Sequence, residues 1–327
     1  MPHHPATIAP LLALAALAGG CRGASFEPVA YHDHRSFPAA DGKLVRIDVF
    51  SLDLEIEVAP GDTIAVEVDL SARASSRAAA ARWVQRHTPQ IDDSPAALEI
   101  RAARRRGSFV VGSLRTTSHL RIVVPPSCRL EVTTSSGAVS INGSETLGGS
   151  VRITTRSGDV SVRGGVRVLE VQTVSGDLKA IGVDLQQLQV RSTSGNVTVR
   201  APLRSTMADT TSGNVRLDGL LGDLSAHTTS GDLRATWGEL AAGASIRAAT
   251  TSGDVRLRLP SLAGVTGELR TRTGTVRSRA PGRWKRKNRH FVLLPTSPEA
   301  PIDGPPYRSG VSVQVSTRSG DISLRST

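Results

Sequence analysis

Aromatic residues make up only 3% of this 327-residue chain, and it has just two cysteines, Cys21 and Cys128. The first scarcity excludes a core built on Phe, Tyr and Trp; the second excludes a disulfide framework of the kind that holds small exported domains together. No apolar run reaches the roughly 20 residues of a membrane-spanning helix. Missing as well are a Gly-x-Ser-x-Gly elbow, a phosphate-binding glycine loop and the clustered His or Cys spacing of a zinc site, so no familiar hydrolase, nucleotide or zinc chemistry is indicated.

What the chain has in abundance is a short phrase, Thr-x-Ser-Gly-Asp/Asn followed by alternating aliphatic residues. Its glycines are Gly137, Gly158, Gly176, Gly195, Gly213, Gly231, Gly253, Gly274 and Gly320. They recur roughly every 18 to 22 residues except across the last gap, within the range of stacked repeat architectures. Aliphatic residues stand two and four places after the glycines, as in Val215 and Leu217, with Ser278 after Gly274 the exception, and a second alternating set stands before them, as in Leu188, Val190 and Ser192. Side chains two apart share one strand face, so each repeat reads as strand, tight turn, strand. Glycine suits a turn that needs positive φ, and Ser, Asp or Asn beside it can bond nearby backbone groups.

One such unit buries too few side chains to offset the entropy of ordering it, so the units must stack. The expected fold is all-β: a β-solenoid of about nine strand-turn-strand repeats, with matching residues above one another at about 4.8 Å. A β-sandwich of hairpins is the competing architecture.

The N-terminus carries a different message. Ile8 to Leu17 is apolar and is followed by Ala18-Gly19-Gly20-Cys21, the pattern of a signal peptide ending in a bacterial lipobox with Cys21 as the lipidated residue. Ala18 replaces the commoner Leu, and the leading segment has His3 and His4 but no Lys or Arg; a plainly secreted chain is the other reading. Arg22 beside the Cys points to the outer rather than the inner membrane. The expected organisation is residues 1–21 as signal and lipidated Cys, 22–41 as tether, 42–126 as an antiparallel N-terminal β cap with one helix at 75–88, and 127–327 as repeats. Residues 279–310 form a basic, Pro-rich insertion. Cys128 reads as a small packing residue.

A net charge of +11 needs a location. Much of it falls three and five places after the glycines, at Arg163, Lys179, Arg200, Arg216, Arg234, Arg256, Arg258, Arg277, Arg279 and Arg325, whereas the matching positions before the turn are mixed. In a solenoid this makes a basic stripe on one sheet. It fits acidic polysaccharide, lipopolysaccharide phosphates or extracellular DNA, since Arg offers anions a fixed fork of donors. The simpler reading is solubilisation, with long stems covering apolar surface. An export signal argues against a cytoplasmic nucleic-acid role.

The turn carboxylates Asp159, Asp177, Asp232, Asp254 and Asp321 form a second row, broken by Asn196 and Asn214. Their repetition marks a folding determinant; a glycan hydrolase or lyase on a β-helix scaffold is the alternative, because paired carboxylates can serve as acid and base. His32-Asp33-His34 puts two imidazoles on one strand face without an apparent third ligand, so neither a metal nor a cofactor is expected. The Ser-Gly-Asp/Asn units from Gly158 to Gly253, behind Cys21, resemble the bacterial adhesin-like β-solenoid family of envelope proteins over about residues 40–327. The resemblance implies one solenoid domain with an N-terminal cap and a non-enzymatic binding or structural role. It carries over no catalytic residue, and the ninth repeat departs from the family pattern.

Overall fold

The computed structural model describes residues 27–102, 114–182, 184–280, 282–285, 290–293 and 310–327; the signal segment and Cys21 lie outside them. Each Ser-Gly-Asp/Asn turn sends its two strands into different sheets. Gln187–Ser194, before Gly195, lies in one sheet, and Val197–Arg200, after it, lies in the other. The two halves of a repeat therefore do not pair with each other. Each pairs with its counterpart in the next coil, parallel and in register: Val190 beside Ala208, Ser192 beside Thr210, Val197 beside Val215. This pairing makes the fold a β-solenoid and rules out a sandwich of hairpins. Among the described residues the sheet of post-turn strands has 13 members and the pre-turn sheet 14.

Alternation along each strand fills the space between the sheets. Val255, Leu257 and Leu259 are buried from one side, and Ile246 and Ala248 from the other, within one continuous core of mostly Val, Leu, Ile and Ala. Trp237 is the exception in size; it is fully buried, and its indole N–H donates to the Gly222 carbonyl at 3.0 Å. The residue three places before each turn glycine, Thr at every repeat except Ser192, lies inside, as at Thr228 and Thr250. Some of these hydroxyls donate to a turn carbonyl, as Thr271 does to Gly320 at 3.0 Å, whereas Thr155, Thr173 and Thr228 have no partner among the described residues and fill space as a β-branched side chain would.

The N-terminal region departs from a simple antiparallel cap. Its elements are β1 (Val29–Pro38), β2 (Leu44–Val49), β3 (Asp53–Val58), β4 (Thr63–Arg73), α1 (Arg77–His87), β5 (Gln90–Asp93), β6 (Ala97–Ala102) and β7 (Arg115–Val124). Strands β2 and β3 form a coil of the solenoid without a turn glycine, and β6 with β7 forms another. Their pairings are parallel: β2 lies between β6 and Arg129–Ser136, and β3 between β7 and Val139–Gly143. Alternation was visible in the sequence, but period-two patterning is the same for parallel and antiparallel strands. Among the described N-terminal strands only β1, β4 and β5 run antiparallel to their neighbours, closing the edges. Residues 29–38 are thus an edge strand rather than tether. The helix lies where expected: Ser76 caps it by accepting the Ala79 N–H, Ala80 and Val84 are buried, and Pro89 follows its end. Lys43, buried here, is held by Asp93 at 2.6 Å and by the Pro38 carbonyl at 2.8 Å.

The C-terminal end repeats this device. The coil carrying Gly320, Val311–Ser319 with Ile322–Ser326, does not stack last; it inserts between the Gly253 coil and the Gly274 coil, Val265–Thr271 with Val276–Ser278. The insertion is therefore not a plain loop: Gly282–Lys285 and His290–Leu293 form an antiparallel hairpin on the outer edge of Val265–Thr271. Its Pro-rich remainder lies outside the described residues. At both ends the coil nearest the chain terminus is covered by a coil from further inside the sequence, so neither terminal coil is left on an open edge.

Candidate functional site

Stacking in register turns each repeat position into a row. On the outer face of the post-turn sheet, the row three places after the glycines runs Ser161, Lys179, Thr198, Arg216, Arg234, Arg256, Ser323 and Arg277. The row five places after runs Arg163, Ile181, Arg200, Asp218, Thr236, Arg258 and Arg325. The expected basic residues therefore share one face, apart from Arg279, which stands just beyond its strand, with its N–H on the Leu324 carbonyl. Spatial order differs from sequence order at the end, because Ser323 comes between Arg256 and Arg277.

The carboxylate row lies along the edge of this face, and its chemistry is explicit. Asp159 accepts the backbone N–H of Asp177 at 2.9 Å, Asp177 that of Asn196, Asn196 that of Asn214, Asn214 that of Asp232, and Asp232 that of Asp254. Asp254 accepts from Asp321 at 2.8 Å, and Asp321 accepts from Thr275. Each side chain thus satisfies the turn N–H of the next coil, which Asp and Asn can do and Ala cannot. The glycines make the same stack possible. A Cβ at Gly213 would stand 2.0 Å from the Gly195 carbonyl oxygen, and one at Gly158 would stand 2.2 Å from that of Gly137.

The second carboxylate oxygens face the arginines. Arg256 reaches Asp232 at 2.9 Å and Asp254 at 2.5 Å, Arg216 reaches Asp218 at 2.9 Å, and Arg234 and Arg277 lie 3.7 Å and 3.9 Å from Asp232 and Asp321. Partial burial pushes the Asp232 carboxyl up, but the Asp254 N–H and the Arg256 and Arg234 guanidiniums outweigh it and hold the carboxyl below its ordinary range. Asp321 is lowered by its hydrogen bonds from Thr275. The stripe is thus partly neutralised along its edge; among the described residues Arg163, Lys179, Arg258 and Arg325 make no ion pair. On the opposite sheet, Glu99, Arg46, Glu131, Arg152 and Glu170 line up as an alternating row, with Arg46 on both Glu99 and Glu131 and Arg152 on Glu170. A shallow groove on that sheet is lined by Thr154, Gln172, Val174, Arg191 and Thr193.

Comparison with known proteins adds the lineage. The profile of the Toastrack DUF4097 family matches residues 45–325. The chain belongs to that family. No curated protein matches it. Among solved structures, the Toastrack chain is similar to a candidate lipid-binding protein from Parabacteroides distasonis, with 11% identity, 90% of this chain and 96% of that one covered, and a TM-score of 0.43. It is similar to a candidate adhesin from Bacteroides fragilis at 11% identity, covering 91% and 97% with a TM-score of 0.38. It is also similar to a candidate cell adhesion protein from Clostridium sporogenes at 9% identity, covering 91% and 100% with a TM-score of 0.26.

The ladder role of the turn Asp and Asn residues was only half visible in the sequence: their recurrence suggested structure, but the donor they satisfy lies in the next coil. Glu67 and Asp69, which lie opposite His34 and His32, were missed because residues 29–38 read as tether. The inward alternation of Val29, Tyr31, Asp33 and Phe37 was the available signal. Cys128 is buried, and burial raises its thiol pKa, which suits packing rather than nucleophilic chemistry.

Proposed function

We propose that this protein is a non-enzymatic, envelope-associated binding module, carried to the cell surface by its signal segment and lipidated Cys21, whose post-turn sheet docks polyanionic polymers. One observation carries the reading: the cations of successive repeats converge in two parallel rows on one exposed face. Arg216, Arg234 and Arg256 occupy consecutive coils, about 4.8 Å apart. A flexible acidic polysaccharide, the phosphates of lipopolysaccharide or an extracellular nucleic acid can run along such rows and release counterions as it does so.

The carboxylate row supports binding over catalysis. Each acidic member from Asp159 to Asp321 already holds a backbone N–H, and several face an Arg as well. A catalytic acid or base must be able to gain or lose a proton at the substrate; these groups are engaged in holding coils together.

Retention of the protein on immobilised heparin or lipopolysaccharide, measured against salt, tests the proposal. Reversing Lys179, Arg258 and Arg325 to Glu leaves the turn ladder untouched, because these three make no ion pair among the described residues. Elution is expected to move to clearly lower salt, and a further shift is expected when Arg216, Arg234, Arg256 and Arg277 are also reversed. Salt-independent retention, or an unchanged profile in the triple variant, refutes the docking face. New reducing ends or unsaturated sugars on incubation with acidic glycans would establish the enzymatic alternative instead.

A further inference from the structure

At the N-terminal edge of the post-turn sheet, β1 pairs with β4 so that His32 lies opposite Asp69 and His34 opposite Glu67. Glu67 and Asp69 alternate with the buried Val66, Val68 and Leu70, and His32 and His34 alternate with the half-buried Tyr31 and Asp33, so all four share the outer face. His32 Nδ1 lies 2.6 Å from Asp69 Oδ1, and one ligand atom from each of His32, Glu67 and Asp69 falls within 4.8 Å of the others. A tetrahedral site with bonds of about 2.0–2.2 Å needs its ligand atoms on the order of 3.5 Å apart, so small side-chain rotations suffice.

The structure assigns a divalent transition-metal site to His32, Glu67 and Asp69, with His34 as the fourth ligand. Two imidazoles and two carboxylates make a borderline N2O2 donor set suited to Zn2+ or Co2+, and the two carboxylates match the ion's charge when the imidazoles are neutral. The neighbouring cations are directed elsewhere. Arg121, beside Glu67 on β7, reaches Glu57 at 2.9 Å, and Arg35 reaches Asp33 at 2.8 Å. Glu67 is left without an ion pair among the described residues. His119, on the far side of Asp69, sits 3.2 Å from Glu55 and so leaves Asp69 to His32. The site is open to solution, with the His32 side chain 61% exposed and that of Asp69 48% exposed. Its ligands come in pairs from two adjacent strands, so a bound ion would fasten β1 to the sheet edge. The assignment does not rest on the polyanion face.

Titration of the full chain with Co2+, followed by visible absorption, and with Zn2+ in competition tests the site. Tetrahedral Co2+ bands are expected at micromolar metal and are displaced by Zn2+. His32→Gln and Glu67→Gln each weaken binding at least about tenfold, and His34→Gln weakens it likewise, whereas His227→Gln, on the pre-turn sheet, leaves it unchanged. These side chains are exposed or partly exposed, and unaltered circular dichroism checks that the variants remain folded. Absence of Co2+ uptake, or binding that survives in the His32→Gln, His34→Gln double variant and so originates elsewhere, for example at His3 and His4, overturns the assignment.

Discussion

Glycine at the turn answers two separate demands, and four positions in this chain separate them. Beyond its chain neighbours, Gly238 has no heavy atom of the described residues within 4 Å of an added Cβ, and it lies outside the left-handed φ region; Gly264 has φ +70° and the same open space. Gly158 lies outside that φ region, but its Cβ would stand 2.2 Å from the Gly137 carbonyl oxygen. Gly213 combines both, with φ +141° and contacts of 2.0 Å and 2.8 Å to the carbonyl of Gly195. Holding Ala at positive φ costs about 1–2 kcal/mol, and forcing an atom into a packed site costs about 1–3 kcal/mol, while Ala restricts the unfolded chain and returns about 0.4–1 kcal/mol. Gly238→Ala is therefore neutral or slightly stabilising, Gly264→Ala and Gly158→Ala each cost about 1 kcal/mol, and Gly213→Ala costs about 3 kcal/mol. Urea unfolding followed by circular dichroism reads the series, with the slope of the transition checked for constancy because stacked repeats can lose two-state cooperativity. Equal midpoints for Gly158→Ala and Gly238→Ala would show that the turns do not touch, and the reasoning from stacked coils would fail.

Two further outcomes follow from the same contacts. Asp232 and Asp321 have folded pKa values below their ordinary ones, so the stability they supply is complete above the unfolded carboxylate pKa of about 3.9 and is lost as pH falls through the lower folded values. Asp321→Asn, which keeps an oxygen for the Thr275 N–H, should flatten that acid limb in urea midpoints measured from about pH 5 to 2; an unchanged limb would remove Asp321 from the account. Deleting residues 311–327 takes away the coil between Gly253 and Gly274, so hydrogen exchange in Val265–Thr271, Val276–Ser278 and His290–Leu293 should lose its protection, whereas retained protection would contradict the inserted order.

The repeat itself was readable from the sequence because it rests on local chemistry. Gly213 with Asn214, and Val215 with Leu217, carry the turn and the inward face without reference to any other coil. The convergence of Arg216, Arg234 and Arg256 followed once in-register stacking was assumed. The helix was equally legible: Ser76 and Pro89 bracket it, and Val84 marks its buried side. The candidate metal cluster was not readable, because His32 and Asp69 are 37 residues apart and only the pairing of β1 with β4 joins them. The neutralising partners of the stripe were also hidden, since Arg256 takes one of its two carboxylates, Asp232, from the neighbouring coil.

The amino-acid order alone determined the unit: its strands, its glycine turn, its aliphatic interior and the side on which its cations emerge. These depend on the two-residue strand period and on the backbone demands of one tight turn. Which coil sits on which was decided only in three dimensions. All coils present nearly the same aliphatic surface and the same ladder of backbone donors and acceptors, so pattern cannot distinguish one neighbour from another. The order was set by the closing of exposed edges, which placed β2 and β3 beneath a later coil and slid the last repeat under an earlier one.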